Sequence, residues 1–201
     1  MEKNAQPEQE RQEPTGVKIL SSTEIDQAVE CFANAIARDW PNSREEAISW
    51  VSDEFHNPDS LIFGVFDEEG KIIGTCSLVS LEFVLGKLSE SEHELVVSAL
   101  KGLGIDLTKA IFIGGFAVEE KYEGRGVSKQ LFTSAENSAI NKGCKLLVAH
   151  TARSSEKYPK IKVLPIALAK AGMKELTLPT KTFHSSPNDL EKVWVYKYLN
   201  K

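Results

Sequence analysis

The sequence predicts an α/β (α+β) domain, and three observations predict it. Apolar residues recur at strand and helix periods in turn along the chain. Leu61 to Val84 reads as a long β-hairpin that turns at Asp67-Glu68-Glu69-Gly70. The aliphatic run Ala110 to Val118 leads into a glycine turn, Gly124 and Gly126, that opens a helix.

The elements follow in order. Val17-Lys18-Ile19-Leu20 is a short strand. Ser21 and Glu24 form a capping box for a helix with Ile25, Ala28, Val29, Phe32 and Ile36 on one face. Ser43 and Glu46 repeat that signature before a second helix that turns Ile48, Val51 and Phe55 inward. The hairpin comes next. Residues 85–109 then form an insertion: Ser89 and Glu92 cap a helix whose stripe is Leu95, Val96, Ala99, Leu100 and Leu103. The stripe covers an acceptor groove or a dimer partner, or it packs on its own sheet. The helix after the glycine turn runs from about Val127 to Lys142 and ends at Gly143. Lys145 to Thr151 is a strand, Ile161 to Ala171 a helix closed by Gly172, and Val193 to Leu199 the last strand.

Composition bounds the function classes. The 201 residues are 41% hydrophobic and 26% charged, which suits one compact domain with a sizeable core. Met1 to Pro14 is almost free of apolar residues and is expected to be a disordered tail, so residues 15–201 form the domain. No run approaches about 18 apolar residues, so no membrane helix is expected. The acidic, polar start lacks a secretory signal. Cys31, Cys76 and Cys144 are odd in number and isolated, which reads as reduced thiols in a cytoplasmic protein. They and the scattered histidines show no metal spacing. Residues 1–150 carry 14 basic against 25 acidic side chains, and residues 151–201 carry 10 against 4. The net acidity argues against nucleic acid and for a cationic or amine partner. The basic cluster Arg153, Lys157, Lys160 and Lys162 is either a phosphate contact or a solvated helix start.

A glycine turn entering a helix presents unpaired N–H groups and the positive end of the helix dipole, which together bind phosphate oxygens. Neither the P-loop nor the dinucleotide fingerprint fits here, since Gly126-Val127-Ser128 lacks the Lys-Ser/Thr and only two glycines are spaced. Instead, Glu123-Gly124-Arg125-Gly126-Val127-Ser128 resembles the Gln/Arg-x-x-Gly-x-Gly/Ala acyl-CoA loop of the GCN5-related N-acetyltransferase (GNAT) family. Its central Gly matches; Glu123 and Ser128 depart from the pattern. The element order over about residues 16–199 and the junction Ala169-Lys170-Ala171-Gly172-Met173 resemble that family too.

The resemblance implies a mixed, mostly antiparallel sheet of about seven strands, flanked by helices and splayed where acetyl-CoA, a co-substrate, binds. It implies acetyl transfer to a primary amine by direct attack in a ternary complex, or else a non-catalytic acyl-CoA-binding module. It places the pantetheine along Phe116, Ala117 and Val118, with Gly114 and Gly115 suited to a bulge. It places the cofactor loop on Glu123, Gly124, Arg125, Gly126, Val127, Ser128 and Lys129, with the pyrophosphate on the N–H groups of about Gly124 to Lys129. For the base the candidates are His150, at the end of the strand across the gap, and Glu82, on the third strand. His184 lies in a loop on the acceptor side. Many relatives carry a Tyr acid where this chain has Leu168; Tyr158 lies nearby in sequence. The acceptor is not specified, and a homodimer stays open.

Overall fold

The computed structural model describes residues 16–39, 44–152, 168–178 and 192–199. The expected tail (Met1 to Pro14), the basic cluster, Tyr158, His184, Ser43 and most of the helix after Lys160 lie outside the described residues.

Among the described residues, seven strands form one sheet in the order β1-β2-β3-β4-β5-β7-β6. They are β1 (Val17–Ile19), β2 (Leu61–Phe66), β3 (Ile72–Ser80), β4 (Ala110–Val118), β5 (Leu146–Ala152), β6 (Lys174–Glu175) and β7 (Lys192–Tyr198). All neighbours are antiparallel except β4 and β5, which run parallel. The described α-helices that flank it include α1 (Ile25–Asp39), α2 (Arg44–Phe55), α3 (Leu81–Leu85), α4 (Glu90–Gly102) and α5 (Val127–Asn141). The sheet and its flanking helices have the architecture that the sequence predicts.

Strand alternation sorts the core into two faces. On one face Phe63, Cys76, Leu78, Ile111, Ile113, Leu147 and Val195 meet Val127, Leu131, Phe132 and Ala135 of α5. A Cβ on Gly74 would lie 2.6 Å from Val127 Cγ1, so a glycine lets α5 seat directly on β3. Lys197 on β7 and Glu136 on α5 pair at 2.6 Å and tie the helix to the far strands.

The opposite face carries two separate patches. Ile62, Phe66 and Ile72 pack under α1 and α2. Val79, Phe112, Val148 and Trp194 pack under α3 and α4. The register shows that they share a face: Ser77 pairs with Ile62 and Gly114, and two residues on, Val79 pairs with Phe112. Ser77 and Gly114 therefore lie where the two patches adjoin.

Two sequence expectations need correction or resolution. The third strand does not reach Val84; it stops at Ser80, whose hydroxyl accepts from Phe83 N–H and caps α3. The apolar run Leu81–Leu85 turns helical because this cap outweighs its strand-like composition. The insertion packs on its own sheet, with Val96 and Leu100 fully buried against it. Each contributes roughly 1.5–3 kcal/mol of burial. At its start Glu92 is buried and accepts from Lys192 Nζ at 3.0 Å and Trp194 Nε1 at 3.3 Å.

Candidate functional site

The parallel ladder of β4 and β5 is short: Ala110, Ile111 and Phe112 pair with Leu146, Leu147 and Val148. Beyond it both strands continue, to Val118 and Ala152, and among the described residues they no longer pair with each other. Among the described residues their facing edges leave a slot whose backbone groups are not paired across it, a geometry suited to a ligand with complementary donors and acceptors. On its other edge β4 stays bonded to β3, but between Gly114 and Ala117 it has one residue more than its partner. That is a bulge, and Gly115 at φ +52° forms it. Phe116, Ala117 and Val118 lie on this stretch of β4, beyond the ladder.

The glycine turn lies at the end of the same strand. Gly124 and Gly126 have φ of +74° and +84°, and a Cβ on either would meet nothing within 4 Å. Glu123, Gly124, Arg125, Gly126 and Lys129 are exposed, Ser128 partly so, and Val127 is buried as the anchor of α5. The first N–H to close a bond with the turn is that of Gln130, to Gly126 O at 3.0 Å. The N–H groups of Val127, Ser128 and Lys129 thus project from the helix end toward open space, a geometry suited to phosphate. Tyr122 holds the turn in place, its hydroxyl donating to Asp67 Oδ2 at 3.1 Å. Glu123 pairs with Arg38 of α1 at 2.6 Å. A guanidinium therefore stands beside the position where the family loop has Gln or Arg.

His150 lies on β5 past the end of the ladder, on the face of Phe112 and Trp194. Its ring centroid is 5.2 Å from that of Phe112 and 5.3 Å from that of Trp194. The residue keeps exposed surface beside these two rings. Burial, and then the charge of Lys192, push its pKa down. Contact with water limits that depression, and the ring is neutral at pH 7. Glu82 does not join this group. It sits exposed on the first turn of α3, because the strand that was to carry it ends at the Ser80 cap.

Sequence reasoning missed Glu54 on α2. Its Oε1 accepts a short hydrogen bond from the Ser77 hydroxyl on β3. A Cβ on Gly114 would lie 2.5 Å from Glu54 Oε1 and 2.7 Å from Phe112 Cε1. The carboxylate thus rests on bare β4 backbone where the two strands part. Burial raises its pKa, against the lowering effects of the Ser77 bond and of Lys87. The signal in the sequence was faint: Glu54 flanks the Val51–Phe55 stripe, but α2 also carries Glu45, Glu46 and Asp53. Among the described residues no group of three or more His, Cys, Asp or Glu is arranged to hold a metal ion. None of the described helices is long and apolar enough to cross a membrane.

Comparison with known proteins bears on this geometry. A sequence model described as the Acetyltransferase (GNAT) family matches residues 29–158, which include the slot, the turn and α5. No curated protein matches the chain. Among solved structures, a GNAT-family acetyltransferase from Staphylococcus aureus Mu50 superposes with a TM-score of 0.61 at 12% identity, over 92% of this chain and 99% of that one. The ribosomal-protein-S18-alanine N-acetyltransferase of Escherichia coli gives 0.60 at 15%, over 94% and 95%. The yncA protein of Salmonella typhimurium, solved with its cofactor acetyl-CoA, gives 0.58 at 11%, over 94% and 95%. Identities this low speak for the fold alone. The sequence match covers more than half of the residues, including the strand, turn and helix described above, and on that ground the chain belongs to the GNAT acetyltransferase family.

Proposed function

We propose that this chain transfers an acetyl group from acetyl-CoA to a primary amine by direct attack, with both substrates bound at once. The observation that carries the reading is the slot between β4 and β5, bulged at Gly115 and ending at an open helix N-terminus. An extended amide-bearing arm suits the unpaired edge of Phe116, Ala117 and Val118. The pyrophosphate suits the N–H groups of Val127, Ser128 and Lys129, with Gly124 and Gly126 leaving room and Arg125 adding charge. A backbone N–H at the bulge is suited to stabilise the thioester oxygen as charge develops on it. His150 is a neutral wall of the acceptor side, and Glu82, exposed on α3, is left out.

Calorimetry tests the binding half. Acetyl-CoA is expected to bind the wild type, and Gly126→Trp, which fills the open turn, is expected to abolish binding in a still-folded protein. Absence of binding by the wild type would remove the enzyme reading. Acetylation of an amine panel, followed by thiol release, tests turnover.

The loop's odd residue gives a further expected result. Glu123 faces the phosphate side with the wrong sign, and Arg38 offsets it. Arg38→Gln is expected to weaken acetyl-CoA by about tenfold, and Glu123→Gln to strengthen it a few-fold, with both effects shrinking in high salt. Equal affinities in all three proteins would show that this pair does not act on the ligand.

A second reading, an acyl-CoA-binding module without turnover, is favoured by Leu168. It is 4% exposed in the core where many relatives carry the acid for the leaving thiolate. A CoA thiolate is stable enough near neutral pH to leave without that acid, so acetyl transfer remains the preferred reading.

A further inference from the structure

We propose that Glu54 receives the acceptor's ammonium group and takes its proton. The proposal rests on the acetyl-transfer reading and deepens it by naming the proton acceptor and the charge state of the amine that enters.

The geometry places this carboxylate and no other described one at the point of strand separation. Glu54 reaches from α2 across the junction of the two patches to Gly114. A side chain at Gly114 would collide with it, so bare backbone there is what admits the carboxylate. Ser77 holds one carboxylate oxygen from β3. Lys87, in the segment after α3, acts on it by charge and is itself paired with Asp53 at 3.0 Å. From β3 come Ser77 and, on the far face, the Cys76 thiol, which feels the Glu54 charge. From β4 come Phe112 and Gly114, and His150 lies beyond Phe112. An aliphatic amine arrives protonated at pH 7 and cannot attack until it loses a proton. A carboxylate in a place that burial makes unwelcoming to charge attracts that cation, and it holds a proton more readily than an ordinary Glu.

The step balances. The ammonium gives one proton to the Glu54 carboxylate. The freed nitrogen lone pair forms the C–N bond as the C–S bond breaks, and the sulfur keeps that bond's electron pair. The nitrogen loses its second proton to water, the thiolate takes one up from water, and Glu54 returns its proton to solvent.

The test compares the full-length wild type with Glu54→Gln and Ser77→Ala on an alanyl peptide, a lysyl peptide and a diamine. Glu54→Gln keeps shape and can still accept from Ser77. It is expected to bind acetyl-CoA within about threefold of wild type, to lose on the order of 100-fold or more in turnover, and to lose the acidic limb of the pH–rate profile. Ser77 is a positioning residue: its bond favours the charged carboxylate, so Ser77→Ala is expected to move that limb to higher pH with little change in acetyl-CoA affinity. Turnover by Glu54→Gln within about threefold of wild type, or an unchanged acidic limb in both variants, overturns the proposal. If the wild type binds acetyl-CoA yet acetylates none of the probes, the acetyl-transfer reading falls and takes the proposal with it. A stability measurement judges the proton without any acceptor. Because the folded pKa is raised, the native state holds the proton longer than the unfolded chain, so native stability declines as pH rises above the ordinary value of 4.5. The melting temperature of Glu54→Gln is therefore expected to gain on wild type from pH 4 toward neutrality and then level off. A constant difference across that range overturns the role.

Discussion

Gly115→Val is expected to lower the melting temperature by roughly 6–12 °C, from about 3 kcal/mol of lost stability at about 2–4 °C per kcal/mol for a domain of this size. Two costs combine. At φ +52° a residue with a Cβ is strained, by about 1–2 kcal/mol and more when β-branched. The new Cβ would also sit 2.2 Å from Phe55 Cε1 and 2.6 Å from its Cζ. Phe55 is 2% exposed and packed between α1 and the sheet, so it has nowhere to go. Forcing it aside costs about 1–3 kcal/mol. Because Phe55 follows Glu54 in the chain, the same shove displaces the carboxylate, and turnover should fall further than stability alone explains. Thermal unfolding by circular dichroism reads the first effect; a loss under about 2 °C would mean that the bulge relaxes freely.

Glu92→Ala is expected to cost about 3–5 kcal/mol, the usual consequence of removing one partner from a buried charge pair. One carboxylate oxygen serves both Lys192 and Trp194. The Glu92 side chain is 5% exposed and that of Lys192 is 18% exposed, so its loss strands an ammonium and an indole N–H together. Glu92→Gln keeps an acceptor for both and should lose less. The paired change Glu92→Met with Lys192→Met should recover most of the loss, since two apolar side chains need no partners. Urea unfolding of the four proteins makes the comparison. Equal midpoints for wild type and Glu92→Ala would mean that the pair is solvated and that α4 docks by its apolar stripe alone.

These two residues also show where sequence reading succeeds. The bulge was legible because two adjacent glycines inside a strand have few other uses. The element order was legible because periodicity is local, and the capping of α1 and α4 by Ser21 and Ser89 is spelled out within four residues. The strand end at Ser80 was not, since Leu81–Leu85 is as apolar as a strand and only the hydroxyl of Ser80 turns it. Nor was the site's acidic centre. Glu54 reads as one more surface acid on α2; its burial depends on Ser77 and Gly114, which lie 23 and 60 positions away along the chain. Arg38 and Glu123 are 85 apart and Glu92 and Lys192 100 apart, so their pairing is written only in the fold. Of the two sequence candidates for the base, His150 lies on β5 past the ladder beside Phe112 and Trp194, and Glu82 lies on the first turn of α3.

The three-rung ladder between β4 and β5 has a mechanical consequence. It is a short seam between two stiff plates, β1–β4 on one side and β5–β7 on the other. A seam that short is a poor brace against bending. The stiffness comes from two struts set off from the bending axis on opposite faces: α5, fastened to β7 by Glu136 and Lys197, and α4, fastened to it by Glu92 and Lys192. The slot's width is thus set from outside, as the gap of a clamp is set by its screws. A change in either strut retunes the opening while every residue that lines it stays the same.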